Sequence, residues 1–182
     1  LYDSGAEWYT MRYQYDESNN PVGFGMQYPT ETKWENYYFA KNVQGDIVAI
    51  YRYDYNASTQ KPYGSLIATS ESAPWGKPQG IKDASGQALA QTANHVATYN
   101  PFRYRGYRYD GDTGLYYLQS RYYDPMTCRF VNADRYASTG QGLAGCNMFA
   151  YCNNNPVICK DSEGTLARTA LVNDGGSSTS GG

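Results

Sequence analysis

The sequence predicts an all-β protein built from antiparallel hairpins, and three patterns carry that prediction. The tetrapeptide frame Tyr-x-Tyr-Asp recurs as YQYD from Tyr13, YRYD from Tyr51 and YRYD from Tyr107. Each copy leads into turn-formers: ESNNP, YNAST and GDTG. Between Arg103 and Pro125 the run RYRGYRYDGDTGLYYLQSRYYDP interleaves tyrosine with arginine, and alternation of period two is the signature of a strand with unlike faces. Tyrosine is also the dominant bulky residue, 21 against 5 phenylalanines and 4 methionines. Its amphipathic ring suits thin, half-buried sheets better than a thick apolar core.

The elements follow in chain order. The strand ending at YQYD turns through Glu17–Pro21. YYFA from Tyr37 and IVAIYRYDY from Ile47 flank the turn Asn42–Asp46, and Ala73–Pro78 (APWGKP) is a further turn with Trp75 as a packing anchor. Helical signal is faint, and its clearest stretches are Gln87–His95 and Asn147–Tyr151. Phe102 and Tyr104 share a face, whereas Tyr107 and Tyr109 fall on the opposite one. One extra residue at Gly106, a bulge, restores the phase. Asp110–Gly114 then closes a hairpin with LYYLQSRYY. On these strands the tyrosines are expected to stack on one side while the arginines reach water. There Arg103, Arg105, Arg108 and Arg121 pair across strands with Asp110, Asp112 and Asp124. Asn153–Pro156 reads as a turn, and GGSSTSGG from Gly175 as a flexible linker. The opening LYDSGAEW, without an initiating methionine, is expected of a piece of a longer protein.

Charge and composition exclude several classes. A net charge of −2 supplies no excess of cations to neutralise phosphates, so no nucleic-acid partner is expected. No apolar run is long enough for a membrane-spanning helix. The cysteines Cys128, Cys146, Cys152 and Cys159 form no CxxC, and His95 is the one histidine. Neither a metal site nor a cofactor is therefore expected. The four thiols permit two disulfides in three pairings, or remain free, and the spacing leaves both open. His95 has no nucleophile elbow near it and reads as a surface or turn residue.

NVQGDIVAIYRYDY, the string from Asn100 to Asp134 and the closing YCNNNPV together resemble the tyrosine–aspartate repeats and C-terminal associated core of RHS-repeat proteins. The resemblance runs from about Tyr37 to Gly164, and more loosely back to Tyr13. It implies a spiralling β-shell: YD-repeat hairpins over residues 1–98, a core plug over 99–166 and a linker over 167–182. In that family the shell encloses a C-terminal toxin polypeptide for interbacterial or host-directed delivery. The implied partners are therefore that toxin and a secretion or delivery apparatus, and the implied location is secreted or at the cell surface.

The resemblance also implies self-cleavage by an aspartyl chemistry, in which one carboxyl acts as acid while its neighbour activates water. By position Asp134 in FVNADRY and Asp161 in VICKDSEGT match the family's two aspartates, and Arg129 matches a nearby basic residue. The sequence departs from the family in lacking the proline after each aspartate. Arg135 and Ser162 stand there instead, and Leu166 falls one place late. Lost prolines loosen a turn that must hold a peptide bond in place. The competing expectation is that both aspartates merely cap turns. A rival of another class is a wall-associated or cell-surface glycan-binding module using exposed tyrosine and Trp75. Asn56-Ala-Ser58 fits the glycosylation sequon, a triplet that also arises by chance.

Overall fold

The computed structural model describes residues 9–29, 31–134 and 147–165, and the backbone of 168–169. It is an all-β fold of antiparallel sheets. Seven strands form the first sheet in simple chain order: β1 (Thr10–Tyr15), β2 (Pro21–Gln27), β3 (Glu35–Lys41), β4 (Ile47–Asn56), β5 (Lys61–Ser72), β6 (Pro78–Asp83) and β7 (Ala88–Leu89). A second sheet of four is ordered β11–β10–β9–β8, from β8 (Arg108–Asp110), β9 (Leu115–Tyr117), β10 (Tyr122–Asp124) and β11 (Arg129–Phe130). A short ladder pairs β12 (Cys159–Lys160) with β13 (Arg168–Thr169). Register slips at Gln14/Tyr15, Ala40/Lys41, Ile50/Tyr51 and Glu71/Ser72 interrupt the first sheet. Bulges of this kind bend the strand and sharpen the local twist.

The recurring acidic or amide residue after the strands has a physical job. Asp16, Asn42, Asn56, Asp83, Asp110 and Asp124 each accept, on the side-chain oxygen, the backbone N–H two residues on, at 2.8–3.0 Å. This closes the turn through a side chain that mimics a backbone carbonyl. The middle repeat departs from the pattern. Asp54 stays inside β4, where Arg52 and Ser65 hold it, and Asn56 takes over the turn.

Both faint helix signals shift. Within Gln87–His95 the chain forms β7, because Asp83 also captures the N–H of Gln87 and draws the segment into a hairpin. A single turn of helix, α1 (Val96–Tyr99), starts only after it, with His95 as its cap accepting from the Ala97 N–H at 3.2 Å. At Asn147–Tyr151 there is a turn in which Ala150 bridges to Arg129, and a short 3-10 turn follows at Cys152–Asn154. Residues 152–154 are all left-handed, as asparagine in a turn allows. The phase slip near Gly106 is real, but it is made by a 3-10 turn at Tyr104–Gly106 rather than a bulge. There Arg105 and Gly106 are left-handed, and Tyr104 and Tyr107 enter the same core.

Two cores result. Phe24, Met26, Tyr37, Ile50, Ala68 and Ile81 line one face of the first sheet, and Val96 and Ala97 of α1 cover them. Phe24 stacks on Tyr37 with ring centroids 4.9 Å apart. The second core is largely tyrosine: Tyr104, Tyr107, Tyr116, Tyr123 and Tyr151 are buried with Leu118, Phe130 and Cys152. Tyr123 and Tyr151 lie 4.2 Å apart.

Each of those five hydroxyls has a partner. Tyr104, Tyr123 and Tyr116 donate to three successive carbonyls of one turn, those of Pro74, Trp75 and Gly76, at 2.9, 2.8 and 2.8 Å. Tyr107 and Tyr151 meet hydroxyl to hydroxyl at 3.2 Å. The 73–77 turn thereby ties the first sheet to the second core, and Trp75 packs there as expected. Gly76 is essential to the fit: its φ is +87°, and a Cβ would stand 2.7 Å from Tyr104 Cδ1.

The expectation that rings stack while arginines reach water holds only in part. Tyr38, Tyr51 and Tyr53 lie 37–49% exposed on the open face of the first sheet. Arg103, Arg105 and Arg121 are buried instead. Asp110 and Asp124 cap turns, so the buried guanidiniums bind elsewhere. Arg105 pairs with Asp46 and donates to the carbonyls of Gln44 and Pro156, and Arg103 reaches the carbonyl of Ala97.

Tyr123→Phe is expected to cost about 1–3 kcal/mol, because it leaves the half-buried Trp75 carbonyl without its donor. Tyr53→Ala on the open face is expected to stay within about 0.5 kcal/mol of the parent. Urea denaturation of both variants measures the contrast.

Candidate functional site

The site grows out of the link between β9 and β10. Leu118 and Arg121 close a tight turn, with Leu118 N–H donating to the Arg121 carbonyl at 2.9 Å and Gln119 forced to a φ of +63°. The turn points Arg121 inward, where its guanidinium lies over the face of Phe130, 3.5 Å from the ring centroid. Every guanidinium nitrogen is engaged. Nε donates to the Gly164 carbonyl, Nη1 to the Met148 carbonyl at 3.2 Å, and Nη2 faces two carboxylates.

Those carboxylates are Asp134 and Asp161. Arg121 Nη2 lies 3.1 Å from Asp134 Oδ2 and 3.4 Å from Asp161 Oδ2, so both acids converge on one nitrogen. Asp134 follows β11 and is anchored by its N–H to the Met148 carbonyl at 3.0 Å. Asp161 follows β12 and is 2% exposed. Its N–H donates to the Tyr107 hydroxyl at 3.0 Å, and its Oδ1 accepts from the Thr165 N–H at 2.9 Å. Burial pulls the Arg121 guanidinium below its ordinary value, against the attraction of Asp134 and then Asp161. Burial likewise raises the neighbouring Tyr107 and Tyr151 hydroxyls, which stay neutral.

Asp134 and Asp161, the two aspartates matched by position, share a partner. That partner is Arg121. Arg129, the basic residue singled out by position, is exposed in β11, and its backbone bridges to Ala150. By alternation alone Arg121 belongs to the watery face, yet it is buried. The signal that finds it is local: Asp124, its expected mate, sits where a turn needs a cap. Asp161 also caps the turn to Thr165, so the turn-capping expectation and the convergence of the acids hold at the same residue.

The thiols stand apart from this chemistry. Cys128, Cys152 and Cys159 are free, and Cys146 lies outside the described residues, as does Leu166. Burial pushes the Cys152 thiol up to about 12, so it stays protonated and inert at neutral pH. Among the described residues no group of three or more His, Cys, Asp and Glu side chains comes together as a metal site.

Arg121→Met leaves two acids without their cation and is expected to destabilise the fold by about 3–5 kcal/mol. Arg129→Met, on the surface, is expected to stay within about 0.5 kcal/mol. Thermal unfolding of the two variants side by side checks the assignment.

No family model matches the chain. Its sequence is 38% identical over 114 residues to the tRNA nuclease WapA of Bacillus subtilis (strain 168), covering 63% of this chain and 5% of that protein. It is 35% identical over 102 residues to toxin subunit YenC2 of Yersinia entomophaga, covering 56% of this chain and 9% of the relative. The chain thus spans less than a tenth of either relative. A crystal structure of TcdB2-TccC3-TEV matches the fold with a TM-score of 0.61 at 24% identity, over 89% of this chain and 7% of that one. Repeats, core string and fold point one way, and the chain belongs to the RHS/YD-repeat family.

Proposed function

We propose that this chain is the closing part of an RHS-type container, a strip of wall with its core plug, which carries a C-terminal toxin polypeptide and cuts itself beside the plug. The observation that carries the reading is the convergence of Asp134 and Asp161 on Arg121 next to the 161–165 turn. The names of the relatives, a nuclease and a toxin subunit, support the cargo class. In this reading water adds to the carbonyl carbon of a peptide bond close behind Gly164. One carboxylate takes the water's proton, and the other carboxyl gives its proton to the departing amine. Arg121 holds the two acids in register, and Arg129 stands outside that arrangement. The product is exported, free inside the container, and released at a target cell.

Intact-mass measurement of the purified chain tests the chemistry. Two species with a break shortly after Gly164 are expected, and Asp134→Asn and Asp161→Asn should each yield a single uncut species. An uncut parent, or equal cutting in Asp134→Asn, removes the proteolytic reading.

A second reading has its own observation. Tyr38, Tyr51, Tyr53 and Tyr63 line a shallow depression of about 400 Å³ on the first sheet, a surface on which sugar rings can stack. If this face binds cell-wall glycan, Tyr53→Ala should lose retention on immobilised peptidoglycan at least tenfold while its stability is unchanged. Equal retention excludes it.

A further inference from the structure

The segment leading away from Asp161 is gripped in an unusual way. The carbonyl of Ser162 accepts from Gln119 Nε2 at 3.4 Å. The carbonyl of Glu163 accepts from the Ser120 N–H at 3.3 Å and from Ser120 Oγ at 2.5 Å. The carbonyl of Gly164 accepts from Ser120 Oγ at 3.0 Å and from Arg121 Nε. Three successive carbonyls are thus held by three successive residues of the β9–β10 turn, and Asp161 holds the Thr165 N–H at the far end. The contacts are all to backbone, and the side chains of Ser162 and Glu163 are exposed.

We infer that Gln119 and Ser120 are positioning residues: with Arg121 they form a cradle that reads the main chain of residues 162–164 and sets its register against the two acids. The inference rests on the self-cleaving reading for its purpose, though its geometry stands alone. It resolves a difficulty raised by the sequence. The proline expected after Asp161 is replaced by Ser162, which removes a rigid φ from the turn. The cradle supplies the missing rigidity through hydrogen bonds to carbonyls, which any residue presents.

Two further features show how close the fit is. Gly164 has a φ of +72°, and a Cβ there would stand 2.8 Å from both the Leu118 carbonyl and Ser120 Oγ, so only glycine lets the segment seat. Gln119 is itself left-handed, a conformation that side chains other than asparagine and aspartate seldom adopt. Strained backbone of this sort persists where the surroundings over-determine it, and here the occupant does so. Because the grip lies upstream of the bond to be cut, it also retains the new chain end after cleavage.

The test uses Ser120→Ala and Ser120→Thr in the full chain, with two readouts. Hydrogen exchange of the 162–165 amides reports the grip, and the rate of self-cleavage by intact mass reports its consequence. Loss of the shared hydroxyl is expected to speed exchange of Thr165 about tenfold and to slow cleavage by a similar factor. Ser120→Thr, which keeps the hydroxyl, should restore both. Exchange unchanged in Ser120→Ala overturns the cradle, and so does cleavage at the parental rate in that variant. If the parent chain is never cut, the proteolytic reading falls, and exchange alone decides the cradle.

Discussion

Burying a tyrosine ring obliges the fold to find a partner for its hydroxyl, and this obligation organises the molecule. A core of leucine and valine places few demands on its surroundings. A core of Tyr104, Tyr107, Tyr116, Tyr123 and Tyr151 demands acceptors at defined points. The turn at Pro74–Gly76 supplies three of them in succession, and its own carbonyls are satisfied in return. The second core therefore cannot form in its observed shape without the first sheet's turn in place. The docking of the two sheets is a consequence of which residue fills the interior.

Buried arginine plays the complementary role. Loops that run between packed sheets leave carbonyls with no strand to pair with, and an unpaired buried carbonyl is costly. Arg103, Arg105 and Arg121 collect these carbonyls: Ala97; Gln44 and Pro156; Met148 and Gly164. The planar guanidinium suits this work because its donors radiate in fixed directions and stay charged when buried. Arg121 adds two carboxylates to its load, so the putting together of structural clamp and candidate chemistry in one side chain follows from geometry. The tyrosine hydroxyls bind carbonyls of the first sheet's turn while the arginines bind those of the loops. Between them they satisfy much of the irregular backbone around the second core.

The sheet's two faces are asymmetric for the same reason. The rings of Tyr38, Tyr51 and Tyr53 face outward and stay partly exposed, whereas the core-side face is covered by α1. Arg52, on the opposite face of β4, is held by Asp54 and Glu35 and never has to enter a core. The same Tyr-Arg-Tyr-Asp string at Tyr51 and at Tyr107 thus ends in contrary environments. At Tyr107 the ring is buried and Arg108 is exposed, whereas at Tyr51 the ring is half-exposed and Arg52 is tethered.

The sequence by itself determined whatever depends on neighbours in the chain. That covers the antiparallel hairpins, the turns at Asn42–Asp46 and Asp110–Gly114, the phase slip near Gly106, the left-handed turn before Pro156 and the membership of a repeat family. Alternation and side-chain turn capping act within a few residues, so one-dimensional pattern captures them. Only tertiary structure decided which rings are buried, that Arg121 rather than a surface position receives Asp134 and Asp161, and that Gln119 and Ser120 hold residues 162–164. Those contacts join residues about 13 to 48 positions apart. A local pattern cannot tell an arginine facing water from one facing carbonyls that another loop brings to it.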